Sequence, residues 1–191
     1  MDSTYLTNPL VFLVQVIFGL YTTIVMLRFL LQVVKADFYN QLSQFIVKVT
    51  TPVLRPLRSF IPGLGGLDIA SLILAWIVKT LELLLVFFIA GKGLLLAEAS
   101  LLAIPELLEL TINIFLFAIL IQVILSWVGQ GGYNPAVNVI YSLTEPLLGP
   151  ARRIIPPISG LDLSPMAVMI GLFLLEMLLI PPVRSLIGQL L

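Results

Sequence analysis

The residues of this chain best able to do chemistry are Glu82 and Glu176, and two arginine–aspartate sets, Arg58 with Asp68 and Arg152 with Asp162. Each returns 94 positions downstream of its counterpart. Both glutamates interrupt long apolar runs. A charge inside hydrocarbon costs at least ~2.5 kcal/mol on insertion scales, so each should face protein or water. Both lie 14 residues beyond their aspartate, ~21 Å along a helix, which predicts matching depths past the bilayer midplane. Lys79 precedes Glu82 by one helical turn and can pair with it, whereas Phe173 fills that place before Glu176. Arg28 is the remaining candidate partner for Glu176 across the halves. Glu82, Glu176, Lys79 and Arg28 therefore define a candidate intramembrane polar or proton-exchanging site. The simpler alternative is interhelical hydrogen bonding that holds the halves together.

Asp68 and Asp162 directly precede apolar runs, where a carboxylate can cap a helix N-terminus and face the positive end of its dipole. Each follows an arginine by ten residues, a spacing that would let Arg58–Asp68 and Arg152–Asp162 close an ion-paired hairpin. The arginines sit in identical proline frames, Pro52 and Pro56 before Arg58, Pro146 and Pro150 before Arg152. This pattern suits a cationic site for lipid headgroups or an acidic partner, or an arginine that snorkels to the interface. Other chemistry is excluded by composition. The chain contains no Cys and no His, which removes disulfides, thiol catalysis, and imidazole as general base or metal ligand. No cofactor, metal or catalytic residue is expected.

The elements that must position these residues follow from composition. The chain is 60% hydrophobic and 10% charged, too few charges to cover a soluble domain, which carries about 25%. Net charge is zero, so no basic field draws in nucleic acid. Apolar runs at about 9–34, 69–90, 107–128 and 163–180 each approach the ~20 residues that cross a bilayer. The first lacks the basic leader of a signal peptide and reads as a retained helix. Pro181-Pro182 is expected to end the fourth.

The repeat runs from residue 39 to 85 and again from 133 to 179 without a gap, so one unit is used twice. The halves divide as 1–97 and 98–191. Between the spans of each half lies a segment, about 38–67 and 134–161, whose apolar residues recur at helical spacing. Phe38, Leu42, Phe45, Ile46, Val49 and Val53 form the stripe in the first; Val137, Ile140, Tyr141 and Leu148 form it in the second. Asn134-Pro135 reads as an N-cap with proline at the first helical position. Both segments predict amphipathic helices at the interface, ended by the prolines from Pro52 and Pro146 onward. Lys and Arg concentrate there, which places these segments in the cytoplasm and both termini outside. Gln15, Asn113 and Gln122 are expected to pack helices by hydrogen bonding, and Gly63-Leu64-Gly65-Gly66 and Gly129-Gln130-Gly131-Gly132 to be loop hinges. The fold class is thus an all-α membrane protein: four transmembrane helices as two parallel two-helix repeats, each with an interfacial amphipathic helix and proline-rich segment.

The motif T-x-P-x-L-x-P-x-R-x-x-I-P followed by G-L-D, at Thr50 to Asp68 and again at Thr144 to Asp162, resembles the YggT (YlmG-like) family over essentially the whole chain. The resemblance implies a non-enzymatic bacterial inner-membrane protein. Relatives are associated with osmotic-stress tolerance, and others with division, nucleoid organisation and cytochrome b6 maturation. Two functions follow as expectations. One is a scaffold or assembly factor working through Arg58, Arg152 and the amphipathic segments, with the lipid bilayer and membrane proteins or further copies as partners. The other is an oligomeric ion or proton conduit built on Glu82 and Glu176.

Overall fold

Within hydrocarbon a chain can satisfy its own backbone locally only as helix, and the apolar runs here do so. The computed structural model describes residues 4–61, 63, 66–128, 134–156 and 162–190. Six helices follow one another: α1 (Thr4–Val33), α2 (Gln41–Phe60), α3 (Ile69–Ile89), α4 (Leu96–Val128), α5 (Pro135–Ile154) and α6 (Ser164–Leu190). Helices α1, α3, α4 and α6 are long and apolar enough to span a membrane. The expected hinges at Leu64-Gly65 and 129–132, with Tyr133, Pro62, Pro157 and Gly160-Leu161, lie outside the described residues.

The spans pack in the order α1, α3, α4, α6, each against the next. Small residues set the closest approach, with Ala70, Ser71 and Ala75 of α3 almost wholly buried. Close backbone contact of this kind is what draws helices together in lipid. Trp76 adds a polar tie by donating Nε1–H to the carbonyl of Ser100 on α4 at 2.8 Å. Helices α2 and α5 lie across the bundle end and touch each other. Ile46 of α2 and Val139 of α5 are buried in one cluster with Leu31. Both intra-repeat helices therefore occupy the same end, and the two halves run in the same direction.

Helices α2 and α5 begin and end at positions 94 residues apart, and each has an asparagine N-cap. Asn40 accepts from Ser43 N–H at 2.8 Å and Asn134 from Ala136 N–H at 3.0 Å. The prolines do not end these helices as expected. Helix α2 continues through Pro52 and Pro56 to Phe60, and α5 through Pro146 and Pro150 to Ile154. All four are exposed on the outer face. A proline leaves a carbonyl four residues back without its donor, and on that face the carbonyl points away from the core. The face turned inward on α2 is Ser43, Ile46, Thr50 and Leu54. Leu42, Phe45 and Val53 of the apolar stripe are exposed, so the helix gives one side to protein and another to lipid.

Two spans exceed their expected limits. Helix α4 starts eleven residues before Leu107, and Glu106 and Glu109, where the extension joins the expected run, pair with Arg184 of α6 at 2.8 and 2.6 Å. Ala99 and Ala103 are also fully buried in this extension. Helix α6 runs through Pro181-Pro182 to Leu190. The prolines remove two donors, but a neighbouring helix and the Arg184 pairs hold the chain beyond them. Among Gln15, Asn113 and Gln122, only Gln122 bonds to another helix among the described residues; Gln15 is exposed on α1.

Leu54 and Leu148 are both 0% exposed, so truncating either leaves a cavity where an amphipathic helix meets the spans. Leu54→Ala and Leu148→Ala are each expected to cost about 2–5 kcal/mol, read as lower melting temperatures of the detergent-solubilised protein. Val53→Ala, on the exposed face, should shift stability by under ~0.5 kcal/mol. Equal effects at Leu54 and Val53 would contradict the packed face described above.

Candidate functional site

The only arginine within the first span, Arg28, is 6% exposed and is held by α2. Its Nη1 donates to the hydroxyls of Thr50 and Thr51 at 2.5 and 3.1 Å and to the carbonyl of Val47 at 3.2 Å. The Thr50 hydroxyl in turn donates to the carbonyl of Ile46 at 2.7 Å. The sequence reading offered Arg28 to Glu176 across the halves; the structure instead spends it within its own half, near Asp68, whose Oδ2 lies 4.0 Å from Arg28 Nε. A guanidinium close to the bundle end finds threonine and carbonyl acceptors on α2 without crossing hydrocarbon.

Asp68 joins three elements. Arg58 Nη2 donates to Oδ2, with Nε 3.4 Å from Oδ1, and the Ser71 hydroxyl donates to Oδ2 at 2.5 Å. Asp68 occupies the N-cap position of α3, yet its carboxylate makes no backbone cap bond. The side chains of Arg58 and Ser71 have taken its oxygens. Burial disfavours the charged form of Asp68, but the hydrogen bonds from Arg58 and Ser71 outweigh it and hold the carboxyl below the usual range.

The second half repeats this frame with different contents. Gln122 stands 94 residues after Arg28 and bonds to Thr144, the counterpart of Thr50. Arg152 Nε donates to Asp162 Oδ2 at 2.9 Å, and its Nη1 to Glu145 Oε2 at 3.1 Å. Asp162 does cap its helix, accepting from Ser164 N–H at 2.9 Å. Burial again works against ionisation, and the Ser164 and Arg152 bonds again prevail, leaving this carboxyl below its ordinary range. Each half holds a cavity on these residues, of about 660 Å³ beside Arg28, Arg58 and Asp68, and about 520 Å³ beside Gln122, Arg152 and Asp162. The pseudo-equivalence of Arg28 and Gln122, and the role of Glu145, were missed by sequence reasoning. The 94-residue offset was the signal, since it registers Arg28 with Gln122 and Thr50 with Thr144.

The candidate intramembrane site does not assemble. Lys79 and Glu82 pair within α3 at 2.9 Å, both largely buried. Glu176 lies half-buried on α6, and α3 and α6 do not touch because α4 runs between them. The four exposed prolines, Pro52, Pro56, Pro146 and Pro150, lie on the outer face of α2 and α5 and line neither cavity.

Comparison with known proteins follows the same division. The CCB3/YggT family matches residues 7–89 and again residues 101–183. An uncharacterized protein of Pseudomonas aeruginosa is 42% identical over 186 residues, covering 96% of this chain and 94% of the relative. A Vibrio alginolyticus protein is 42% identical over 167 residues, covering 86% and 90%. Uncharacterized protein YggT of Escherichia coli is 39% identical over 171 residues, covering 89% and 88%. No solved structure matches at a significant level. The chain belongs to the CCB3/YggT family and is a multi-pass membrane protein.

Both aspartates have depressed folded values, so their stabilisation is complete above the unfolded value of about 3.9 and is lost as pH falls through the folded values. Melting temperature in detergent should therefore decline below about pH 4. Asp68→Asn leaves Arg28 and Arg58 without a counter-charge, and is expected to cost ~3 kcal/mol or more at neutral pH. Asp162→Asn, at a site 40% exposed, should cost under about 1 kcal/mol. Acid melts of the two variants against wild type check both the order and the pH window.

Proposed function

We propose that this CCB3/YggT protein is a non-enzymatic scaffold of the bacterial inner membrane, an assembly or organisation factor associated with osmotic-stress tolerance. Helices α2 and α5 are its working surface. The observation that carries this reading is their mutual contact at one end of the bundle, each tied to the spans by an Arg–Asp bridge and a buried threonine. Together they form one platform, fixed from behind and exposed in front. Its outer face offers Phe45 and Val53 to the bilayer and Lys48, Arg55 and Arg153 to headgroups or acidic partners. The excess of Lys and Arg on these segments supports a cytoplasmic position for the platform and external termini.

A conduit through Glu82 and Glu176 has less support. Glu82 is neutralised by Lys79 on its own helix, and the two glutamates stand on helices that do not meet. A pair of this kind serves to carry a polar group through a span at reduced cost.

The test compares Arg58→Gln with Arg152→Gln, made together, against Glu82→Gln with Glu176→Gln, made together. Each is expressed at matched membrane level in a strain lacking the native gene. Survival after osmotic shock should fall to that of the deletion strain for the arginine pair, and stay within about twofold of wild type for the glutamate pair. The opposite pattern, with ion flux in reconstituted vesicles, would replace the scaffold by a conduit.

A further inference from the structure

We propose that the cavity of the first half is a phosphate-binding site, formed by Arg28 and Arg58 and open to the phosphate of an anionic lipid headgroup or to free phosphate. The corresponding cavity of the second half has lost this selectivity.

The charge count differs between two cavities of common ancestry. In the first, two guanidiniums face one carboxylate; in the second, one guanidinium is bracketed by Asp162 and Glu145. The first therefore retains one uncompensated positive charge, and that charge is built in rather than draped over the surface. Arg28 is 6% exposed, and its guanidinium is oriented by three acceptors on α2, all engaging Nη1. Nη2 has no hydrogen-bond partner among the described residues. Nη2 and Nε are not among the buried unpaired atoms, so these donors open onto the cavity, where an anion can meet them.

Arginine pairs are well matched to phosphate oxygens, since each planar fork can present two parallel N–H donors. Arg28 lines the wall of the cavity, and Arg58, 41% exposed, lines it from the α2 terminus. The volume of about 660 Å³ exceeds what a phosphate group needs and leaves room for the substituent of a headgroup. Its location also fits. The cavity lies where α1 ends and α3 begins, the level at which a span passes from hydrocarbon to headgroups.

The second half supplies the internal control. Gln122 fills the place of Arg28 and still bonds to the equivalent threonine, so Arg28→Gln has a ready precedent for fitting in the frame. The inference shares Arg58 with the scaffold reading but not its test: binding by the purified protein can fail while osmotic survival behaves as proposed, and the reverse.

The experiment uses the full chain purified in detergent and reads thermal stabilisation during titration at constant ionic strength. The probes are phosphatidylglycerol, zwitterionic phosphatidylcholine, and inorganic phosphate. Wild type should show saturable stabilisation by phosphatidylglycerol, by inorganic phosphate, or by both, and little by phosphatidylcholine. Arg28→Gln should weaken the effective probe by about tenfold or more, the size of one lost charge-assisted hydrogen bond. Arg58→Gln tests the same cavity from its exposed end and should weaken it similarly, so the result does not hang on the buried substitution alone. Lys92→Gln, an exposed charge in the connection between the halves and outside the cavity, should bind as wild type. A response confined to phosphatidylglycerol identifies the lipid headgroup as the source; one of equal affinity for inorganic phosphate identifies the free anion. The proposal is overturned by absence of saturable stabilisation with both anionic probes, or by equal losses in Arg28→Gln and Lys92→Gln.

Discussion

Everything at the bundle end depends on one contact: a buried threonine hydroxyl on each amphipathic helix meets a polar side chain from the span that precedes it. Thr50 and Thr144 are both 0% exposed, and each back-bonds to a carbonyl on its own helix. In the first half the Thr50 oxygen also accepts from Arg28, and in the second the Thr144 hydroxyl donates to Gln122 Oε1. A polar contact at this depth fixes register in a way apolar packing cannot, because sliding α2 along α1 would part a directional donor from its acceptor. The leucines one turn on, Leu54 and Leu148, then drop into the core. The arginines a further turn on reach Asp68 and Asp162. Threonine, leucine and arginine recur at four-residue spacing, so a single inward face of one helix carries the anchor, the packing and the ion pair.

That same face explains why the prolines survive inside helices. Pro52, Pro56, Pro146 and Pro150 also recur at four-residue spacing, two residues out of phase with the anchoring row, which puts them on the opposite side. The helix loses hydrogen bonds only where its carbonyls turn outward. Sequence reasoning weighed the prolines by their intrinsic cost, which is about 3 kcal/mol in a helix interior, and therefore ended both helices early. Tertiary anchoring on the inner face overrides that cost. The same error in kind occurred at Pro181-Pro182, where Arg184 and its two glutamates bind the following turns to α4.

The sequence was most legible where repetition and apolar length reinforced each other. Spans, halves and the two amphipathic segments follow from the 94-residue offset and the hydrocarbon thickness, since both act on the chain locally. Partners across elements were less legible. The helical turns before Leu107 were not visible, since Arg184, the cation that pairs with Glu106 and Glu109, stands some 75 residues away in sequence. Arg28 was assigned a partner by charge alone, and the threonines that hold it are neutral. The apolar stripe on α2 was visible, but which neighbour it faces was not: in water such a stripe seeks the core, whereas beside a bilayer lipid is an equally apolar surroundings. The core-facing row is consequently the one that contains Ser43 and Thr50.

Duplication gives two copies of a unit, but four spans in a row cannot give both copies the same surroundings. Helix α3 has a span on each side, α1 and α4, whereas α6 has only α4. Glu82 therefore lies in protein, and its cation is supplied on the adjacent turn by Lys79. Glu176 keeps the carboxylate but not the enclosure, and Phe173, 50% exposed, stands where the lysine would be. At the bundle end the same asymmetry runs the other way. The first half concentrates positive charge behind a buried arginine, and the second disperses it against two exposed carboxylates. Equivalent positions have thus diverged, Lys79 and Phe173 where the surroundings differ and Arg28 and Gln122 even where the partner is the same threonine, while Thr50 and Thr144 themselves have stayed the same.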